Sequence, residues 1–242
     1  MARKWRLIKD GKCDGYYNMA CDEALFLSYQ ESRVPTFRMY EWSEPFFSIG
    51  YHQNRKALDG DQSIPFVRRI TGGAAILHDS ELTYSLVCSL GDLNLSKGVR
   101  QSYRQLCIFL IEFYSQLGIK AEFACENSSI ELSNYKDWCF SSLEHFDLVA
   151  GGKKIGGNAQ CRKKDIIFQH GSIPLAQIFA EISDIADLKN KLAKSFANSF
   201  MVDFKRSDLD QTTHALCTKL IDKYKSKQWS RRCENRFGLI RK

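Results

Sequence analysis

The sequence predicts an α+β domain: a mixed, mostly antiparallel sheet flanked by a few helices. Three observations point there. Sixteen Phe and ten Tyr in 242 residues favour an extensive sheet over a helical bundle. Short strand-like runs recur with tight turns between them, as hairpins require. Helical periodicity is confined to a few stretches beside these runs, the pattern of α+β architecture. With 44% apolar residues there is material for a core. No internal repeat, low-complexity linker or second composition zone appears, so residues 1–242 read as a single domain with no C-terminal accessory domain.

The elements follow in order. Residues 5–8 (Trp-Arg-Leu-Ile) form a first strand. Tyr16 to Tyr29 is predicted as an amphipathic helix with Ala20, Ala24, Phe26 and Leu27 toward one face. Residues 36–40 and 46–50 read as strands bracketing a turn at Ser43-Glu44-Pro45. The sheet continues through 66–69, 74–77 and 83–89. The clearest helix lies between Ser96 and Leu117, where Val99, Tyr103, Leu106, Leu110, Phe113 and Leu117 recur at helical spacing and Gly118 follows as a C-cap. Further strands are predicted at 120–124, 145–149, 154–155, 159–162 and 166–175, and closing helices at 188–200 and 209–224.

Composition excludes several classes. No apolar run approaches the ~18 residues of a membrane helix. The charged start Met-Ala-Arg-Lys-Trp-Arg-Leu-Ile-Lys has no apolar stretch behind it and is no signal peptide, so a cytoplasmic protein without membrane contact is expected. Nine cysteines contain no C-x-x-C pair; neither a zinc site nor a disulfide framework is predicted, and no metal is implied. Cys88, in a strand-like run, and Cys107, in the helical stretch, read as small apolar fillers. The net charge of +7 is densest at Arg162-Lys163-Lys164 and from Lys223 to Arg232. Charge alone admits nucleic acid, but no nucleic-acid motif accompanies it and aromatic residues do not interleave the basic runs; no nucleic-acid partner is expected. An acidic protein substrate suits the charge equally well.

Three stretches carry chemistry. In the first, Trp138-Cys139-Phe140-Ser141-Ser142 precedes Lys153-Lys154-Ile155-Gly156-Gly157-Asn158-Ala159-Gln160. Cysteine attacks as thiolate, and a nearby ammonium is one of the few ways to hold a thiolate at neutral pH. If the fold closes the intervening segment into a hairpin, Cys139 and Lys154 form a pair suited to acyl transfer; a lone cysteine is otherwise structural. The second stretch is Arg68-Arg69-Ile70-Thr71-Gly72-Gly73-Ala74-Ala75-Ile76-Leu77-His78-Asp79. Two glycines between strands allow a ligand to approach bare backbone, and arginines suit a phosphate or carboxylate. A plain hairpin turn with solvated arginines fits the same letters. The third, Ile166-Ile167-Phe168-Gln169-His170-Gly171-Ser172-Ile173, sets polar groups inside an apolar strand, where they must face a site or pair internally. His170 reads equally as a core histidine or a site residue.

Taken in order, these motifs resemble the biotin/lipoate cofactor-transferase superfamily. Its lipoate-ligase and octanoyltransferase branch carries R-R-x-[ST]-G-G-x-A-V-x-H-D, then [RK]-K-[VI]-x-G-x-A-Q, then H-G-[ST]. Asn18-Met19-Ala20-Cys21-Asp22-Glu23-Ala24-Leu25 is similar to the family's N-M-A-x-D-E-A-L helix, and Met39-Tyr40-Glu41-Trp42 to its R-x-Y-x-W strand. The resemblance runs from about residue 5 to the C-terminus. Lipoate ligases make an acyl-adenylate from ATP and usually need an accessory domain, for which the chain leaves no room. Cysteine-dependent octanoyltransferases carry a Cys-Phe pair before the lysine turn, as Cys139-Phe140 does here.

The resemblance therefore implies an octanoyltransferase that moves an octanoyl chain from acyl carrier protein, through a Cys139 thioester, to the lysine of a lipoyl domain. Octanoyl-acyl carrier protein and lipoyl-domain proteins of the glycine-cleavage H or 2-oxoacid dehydrogenase E2 type are the implied partners. Matching positions imply Cys139 and Lys154 as catalytic. They imply substrate contacts for Arg69, Thr71, Gly72, Gly73, Ala75, Ile76, Leu77, His78, Gly157, Ala159, His170 and Gly171. Ile76, Leu77, Ile155 and Ile167 are candidates for an acyl slot or for ordinary sheet core. Backbone N–H groups near Gly72-Gly73 or Gly156-Gly157 are alternatives for an oxyanion site. No cofactor is required, ATP and Mg entering only under the alternatives' first member, a ligase working with a separate accessory chain. The second alternative is octanoyl amidotransfer between lipoyl-domain proteins; a non-catalytic binder of acylated carriers is the third.

Overall fold

The chain opens with β1 (Arg3–Cys13), turns into α1 (Gly15–Ser32) and returns as β2 (Thr36–Trp42). The computed structural model describes residues 3–58, 63–128, 144–175 and 184–231, the side chains of residues 56 and 57 excepted. Short strands β3 (Phe46–Ile49), β4 (Phe66–Arg68) and β5 (Ile76–His78) make a small sheet ordered β4-β3-β5. Next come β6 (Glu81–Ser89) and α2 (Val99–Ser115). A second small sheet holds β7 (Glu122–Phe123), β8 (Leu148–Ala150) and β9 (Lys153–Lys154). The hairpin β10 (Gly157–Lys163) and β11 (Ile166–Pro174) follows, then α3 (Ile185–Phe200), β12 (Val202–Arg206), α4 (Gln211–Lys225) and the single turn α5 (Lys227–Ser230).

The main sheet has six strands in the order β10-β11-β6-β2-β1-β12. Its β1 pairs in parallel with β2 and β12, and the remaining pairings are antiparallel. This is the mixed α+β architecture predicted from composition and hairpin spacing. Every residue of β6 and β11 is buried, which requires cover on both faces. Alternation then sorts the side chains. Leu82, Tyr84, Leu86 and Cys88 pack with Leu106, Phe109 and Phe113 of α2 and Leu192 and Phe196 of α3. On the other face Val87, Ile166 and Phe168 meet Met19, Ala20, Ala24 and Leu25 of α1, with Cys217 and Tyr224 of α4 behind.

Three elements differ from expectation for physical reasons. Helix α1 buries Met19, Cys21, Asp22, Leu25 and Tyr29 besides the predicted Ala20, Ala24 and Phe26, because it lies between the sheet and α4 rather than on a surface. Helix α2 stops at Ser115, and Gly118 turns the chain three residues on with φ 73. The parallel edge strand β12 was not predicted: its burial pattern is largely exposed, so it lacks an apolar signal. Cys88 and Cys107 are fully buried fillers, as their settings suggested.

Candidate active site

The glycine turn after β4 is built by buried arginines. Arg68 and Arg69 are 0% and 2% exposed, so the reading as a plain turn with solvated arginines is overturned. Arg69 donates to the carbonyls of Gly72 and Ala74, each at 2.8 Å, to Ser48 O at 3.0 Å and to Thr71 Oγ1 at 3.1 Å. Its fork therefore shapes the loop from within. Gly73 takes φ +89, and a Cβ on Gly50 would lie 2.0 Å from Gly73 O, so the two turns touch backbone to backbone. Arg68 reaches Gln53 O at 2.6 Å and Ser230 O at 2.8 Å, tying α5 to the same turn.

A cleft of about 400 Å³, part of it open to solvent, lies beside this loop. Its wall takes Met19 from α1, Tyr40 and Trp42 from β2, Ala74 and Ile76 from the loop and β5, and Gly157 and Ala159 from β10. Arg69, Gly73, His78, His170 and Gly171 also line it. Of the residues expected at a substrate, Thr71, Gly72, Ala75 and Leu77 lie off the wall. Leu77 is 40% exposed because alternation along β5 turns it away from the side that Ile76 and His78 share. Ile155 and Ile167, offered for an acyl slot, belong to the core beneath α2.

Both histidines are buried and paired. His78 stacks on Trp42 with ring centroids 3.9 Å apart, and its nitrogens meet Glu81 Oε1 at 2.6 Å and Ser48 Oγ at 2.7 Å. Ser172 Oγ donates to the other oxygen of Glu81. His170 sits between Thr71 Oγ1, at 2.8 Å from Nε2, and Asp22 Oδ2, at 3.6 Å from Nδ1. Burial pushes His170 below the ordinary imidazole value, and the Asp22 carboxylate offsets this only in part. Burial alone would raise Asp22, but His170, Arg38 Nη1 at 2.8 Å and Ser85 Oγ at 2.7 Å hold it below the usual carboxylate range. The result is a neutral imidazole at the cleft wall, held between a hydroxyl and a carboxylate that lie behind it. Gln169 points to the opposite face, where it bonds Tyr84 OH at 3.0 Å.

Lys154 is buried against Asp147, Nζ to Oδ2 at 2.6 Å, with both side chains under a tenth exposed. The same Asp147 oxygen accepts the backbone N–H of Glu144 at 2.9 Å. The chain leaving residue 143 is thus fastened to the carboxylate that holds the lysine. Cys139 lies outside the described residues. Burial pushes up the thiols of Cys13, Cys88, Cys107 and Cys161, the last two to about 12, while Cys125 is exposed. Among the described residues no group of three potential ligands could hold a metal, and no helix is long and apolar enough to cross a membrane.

Sequence reasoning missed Asp22 and Asp147. An acid in the buried stripe of α1 had to be paired, which is a usable signal; Asp147 follows a polar loop and carries none.

Fold and cleft together are those of a domain in which a glycine turn shaped by a buried arginine meets two buried histidines. The chain belongs to the family described as the lipoyl protein ligase A/B catalytic domain, whose pattern matches residues 14–222. It is 42% identical over 191 residues to the octanoyltransferase LipM of Oceanobacillus iheyensis, covering 76% of this chain and 69% of that one. With the LipM of Bacillus anthracis it shares 32% over 271 residues, covering 94% and 98%. Among solved structures it is similar to a lipoate-protein ligase A bound with ATP, at TM-score 0.77 and 23% identity over 95% of this chain and 99% of that one. A bi-partite lipoate protein ligase from Thermoplasma acidophilum superposes at TM-score 0.74 with 21% identity, covering 96% and 97%. These last two likenesses concern the fold.

Proposed function

We propose that this protein is an octanoyltransferase of protein lipoylation, acting through a Cys139 thioester. The kinship with LipM octanoyltransferases sets the reaction class. Within the chain, the observation that carries the mechanism is the Lys154–Asp147–Glu144 junction: the buried ammonium lies one shared carboxylate oxygen from the backbone that leads back to Cys139. An ammonium held there stabilises a thiolate brought to it. The thiolate attacks the acyl carbonyl of octanoyl-acyl carrier protein, the C–S bond to the carrier breaks, and the carrier thiol leaves with a proton. A lysine amine of a lipoyl domain, of the glycine-cleavage H or E2 type, then forms the amide. Its proton ends on Cys139 as the enzyme thioester breaks. The neutral His170 lines the cleft, backed by Thr71 and Asp22, and is the group this reading assigns to that proton. No cofactor, ATP or metal has a step to serve, and residues 1–242 act as one catalytic domain in the cytoplasm.

The test mixes the protein with octanoyl-acyl carrier protein and a lipoyl domain in the absence of ATP. Octanoylated lipoyl domain is the expected product. Modification that requires free octanoate or lipoate with ATP would make the chain a ligase. Transfer from an octanoylated lipoyl domain but not from the carrier would make it an amidotransferase.

A further inference from the structure

The two cleft histidines are held alike. Each stands between a hydroxyl and a carboxylate, and both hydroxyls also meet Arg69, whose Nε lies 3.1 Å from Thr71 Oγ1 and whose Nη1 lies 3.2 Å from Ser48 Oγ. A guanidinium can only donate and an ionised carboxylate can only accept, so direction is set at both ends of each chain of bonds. Thr71 Oγ1 takes a proton from Arg69 and gives its own to His170 Nε2 at 2.8 Å. Nδ1 then carries the ring proton and faces Asp22 Oδ2 at 3.6 Å. Arg38, Ser85 and Tyr40 all donate to Asp22, which keeps it an acceptor. In the second chain Trp42 Nε1 donates to Thr83 Oγ1 at 2.9 Å, so the Thr83 proton goes to Glu81 Oε1 at 2.6 Å. Ser172 donates to the other Glu81 oxygen, and His78 Nδ1 supplies the remaining proton at 2.6 Å. Ser48 donates to His78 Nε2 at 2.7 Å. The reverse tautomer would aim a ring lone pair at each carboxylate and leave each hydroxyl oxygen facing two donors.

We infer that Arg69 is a positioning residue: through the Thr71 and Ser48 hydroxyls it sets both cleft histidines as the Nδ1–H tautomer. The guanidinium lines the cleft, but Nε, Nη1 and Nη2 all bond protein, reaching Ser48 O, Gly72 O and Ala74 O besides the two hydroxyls. A second proton on His170 has one seat, Nε2, where it meets a hydroxyl oxygen already filled by Arg69. Charged and titratable groups around this ring are Asp22 of α1, with Arg38 of β2 behind it, Arg69, and His78 of β5. Burial first, then Arg69 and His78, oppose that second proton, and Asp22 alone favours it. In its bearing on transfer the inference rests on the acyl-transfer reading given above. There the amine N–H proton passes to Nε2 and on to the sulfur as the thioester C–S bond breaks, so Thr71 must release its bond in each turnover.

The test uses the whole chain labelled with ¹⁵N-histidine. It has five histidines, and His78→Gln and His170→Gln assign the two signals. Near pH 7.5 each ring should show a protonated Nδ1 and a bare Nε2. Thr71→Val leaves Arg69 Nε on Gly72 O, at 3.2 Å, and should move the His170 nitrogens alone toward the averaged values of free imidazole. Ser48→Ala should do so for His78 alone, Arg69→Lys for both, and Thr71→Ser should restore the wild-type spectrum. A protonated Nε2 on either ring of the wild type overturns the inference, as do wild-type signals in both Thr71→Val and Ser48→Ala. In a second arm, the rate of octanoyl transfer is followed against pH. Without the Thr71 hydroxyl the neutral ring loses a donor and protonates more readily, so the acid limb of Thr71→Val should move to higher pH. Its rate at pH 6 relative to pH 8 should drop by about fivefold more than in wild type, the worth of one hydrogen bond. An unmoved limb with the expected tautomers overturns the proton role of His170 in transfer and leaves the Arg69 assignment standing.

Discussion

At the scale of single residues, the molecule concentrates buried charge where α1 meets the sheet. Arg38 is 0% and Asp22 1% exposed, and neither tolerates loss of its partner. Asp22→Asn is expected to lower unfolding free energy by about 3 kcal/mol, as breaking buried ion pairs does; urea denaturation at pH 7 measures it, and a loss within a few tenths would refute the pairing. His170 supplies a pH dependence with a definite sign. Its folded value is depressed, so below the ordinary value of 6.5 the unfolded chain takes up a proton that the folded one refuses. Stability contributed by neutral His170 is therefore present above that value and lost as pH falls beneath it. His170→Gln should flatten this limb of the stability profile between pH 7 and pH 5. Gly171→Ala is expected to cost about 1–3 kcal/mol, because the added methyl meets Asn158 Oδ1 at 2.0 Å and the Tyr84 ring at 2.4 Å. Its melting temperature relative to wild type is the check.

At the scale of elements, α4 depends on its cap. Asp210 accepts Thr213 N at 2.8 Å and Arg6 Nη1 at 2.7 Å, and these bonds more than offset burial to bring its carboxyl down to about 2. Asp210→Ala should cost about 1 kcal/mol near neutral pH. The difference should shrink as pH falls through the region from 3.8 toward 2, where the folded carboxylate is finally protonated. Denaturation of both proteins across that range reads the convergence. Legibility in the sequence also divides by element. The hairpin strands and α2 announced themselves because their apolar periods were clean, and β11 was legible down to its paradox: polar groups in an apolar strand that had to be paired. Both halves of that paradox are met, with His170 and Ser172 paired on one face and Gln169 on the other. Edge strand β12 was not legible because pairing through backbone leaves no apolar trace. The glycine loop was legible as a turn between strands, but a string of letters does not tell that Arg69 points inward to shape it, or that Leu77 points out.

For the whole molecule, the helices cover both faces of the main sheet and leave the cleft beside the glycine turn, where α1, β2, β5, β10 and β11 all contribute. The motifs scattered along the sequence converge because β6 and β11 lie side by side with Ser85 opposite His170 and Tyr84 opposite Gly171. The net charge of +7 bears on partners rather than on this geometry. If acyl donor and acceptor domains are acidic, kcat/KM for transfer should fall as salt rises from about 50 to 500 mM while kcat changes little, since screening acts on encounter; an unchanged kcat/KM would remove charge from the account.

The central claim is the covalent one, and intact-protein mass tests it most directly. Wild type and Cys139→Ala are each mixed with octanoyl-acyl carrier protein without ATP. A hydroxylamine-labile octanoyl adduct on the wild type alone is the predicted result. An adduct that survives in Cys139→Ala, or none on either protein while ATP and lipoate still support modification of a lipoyl domain, would contradict it.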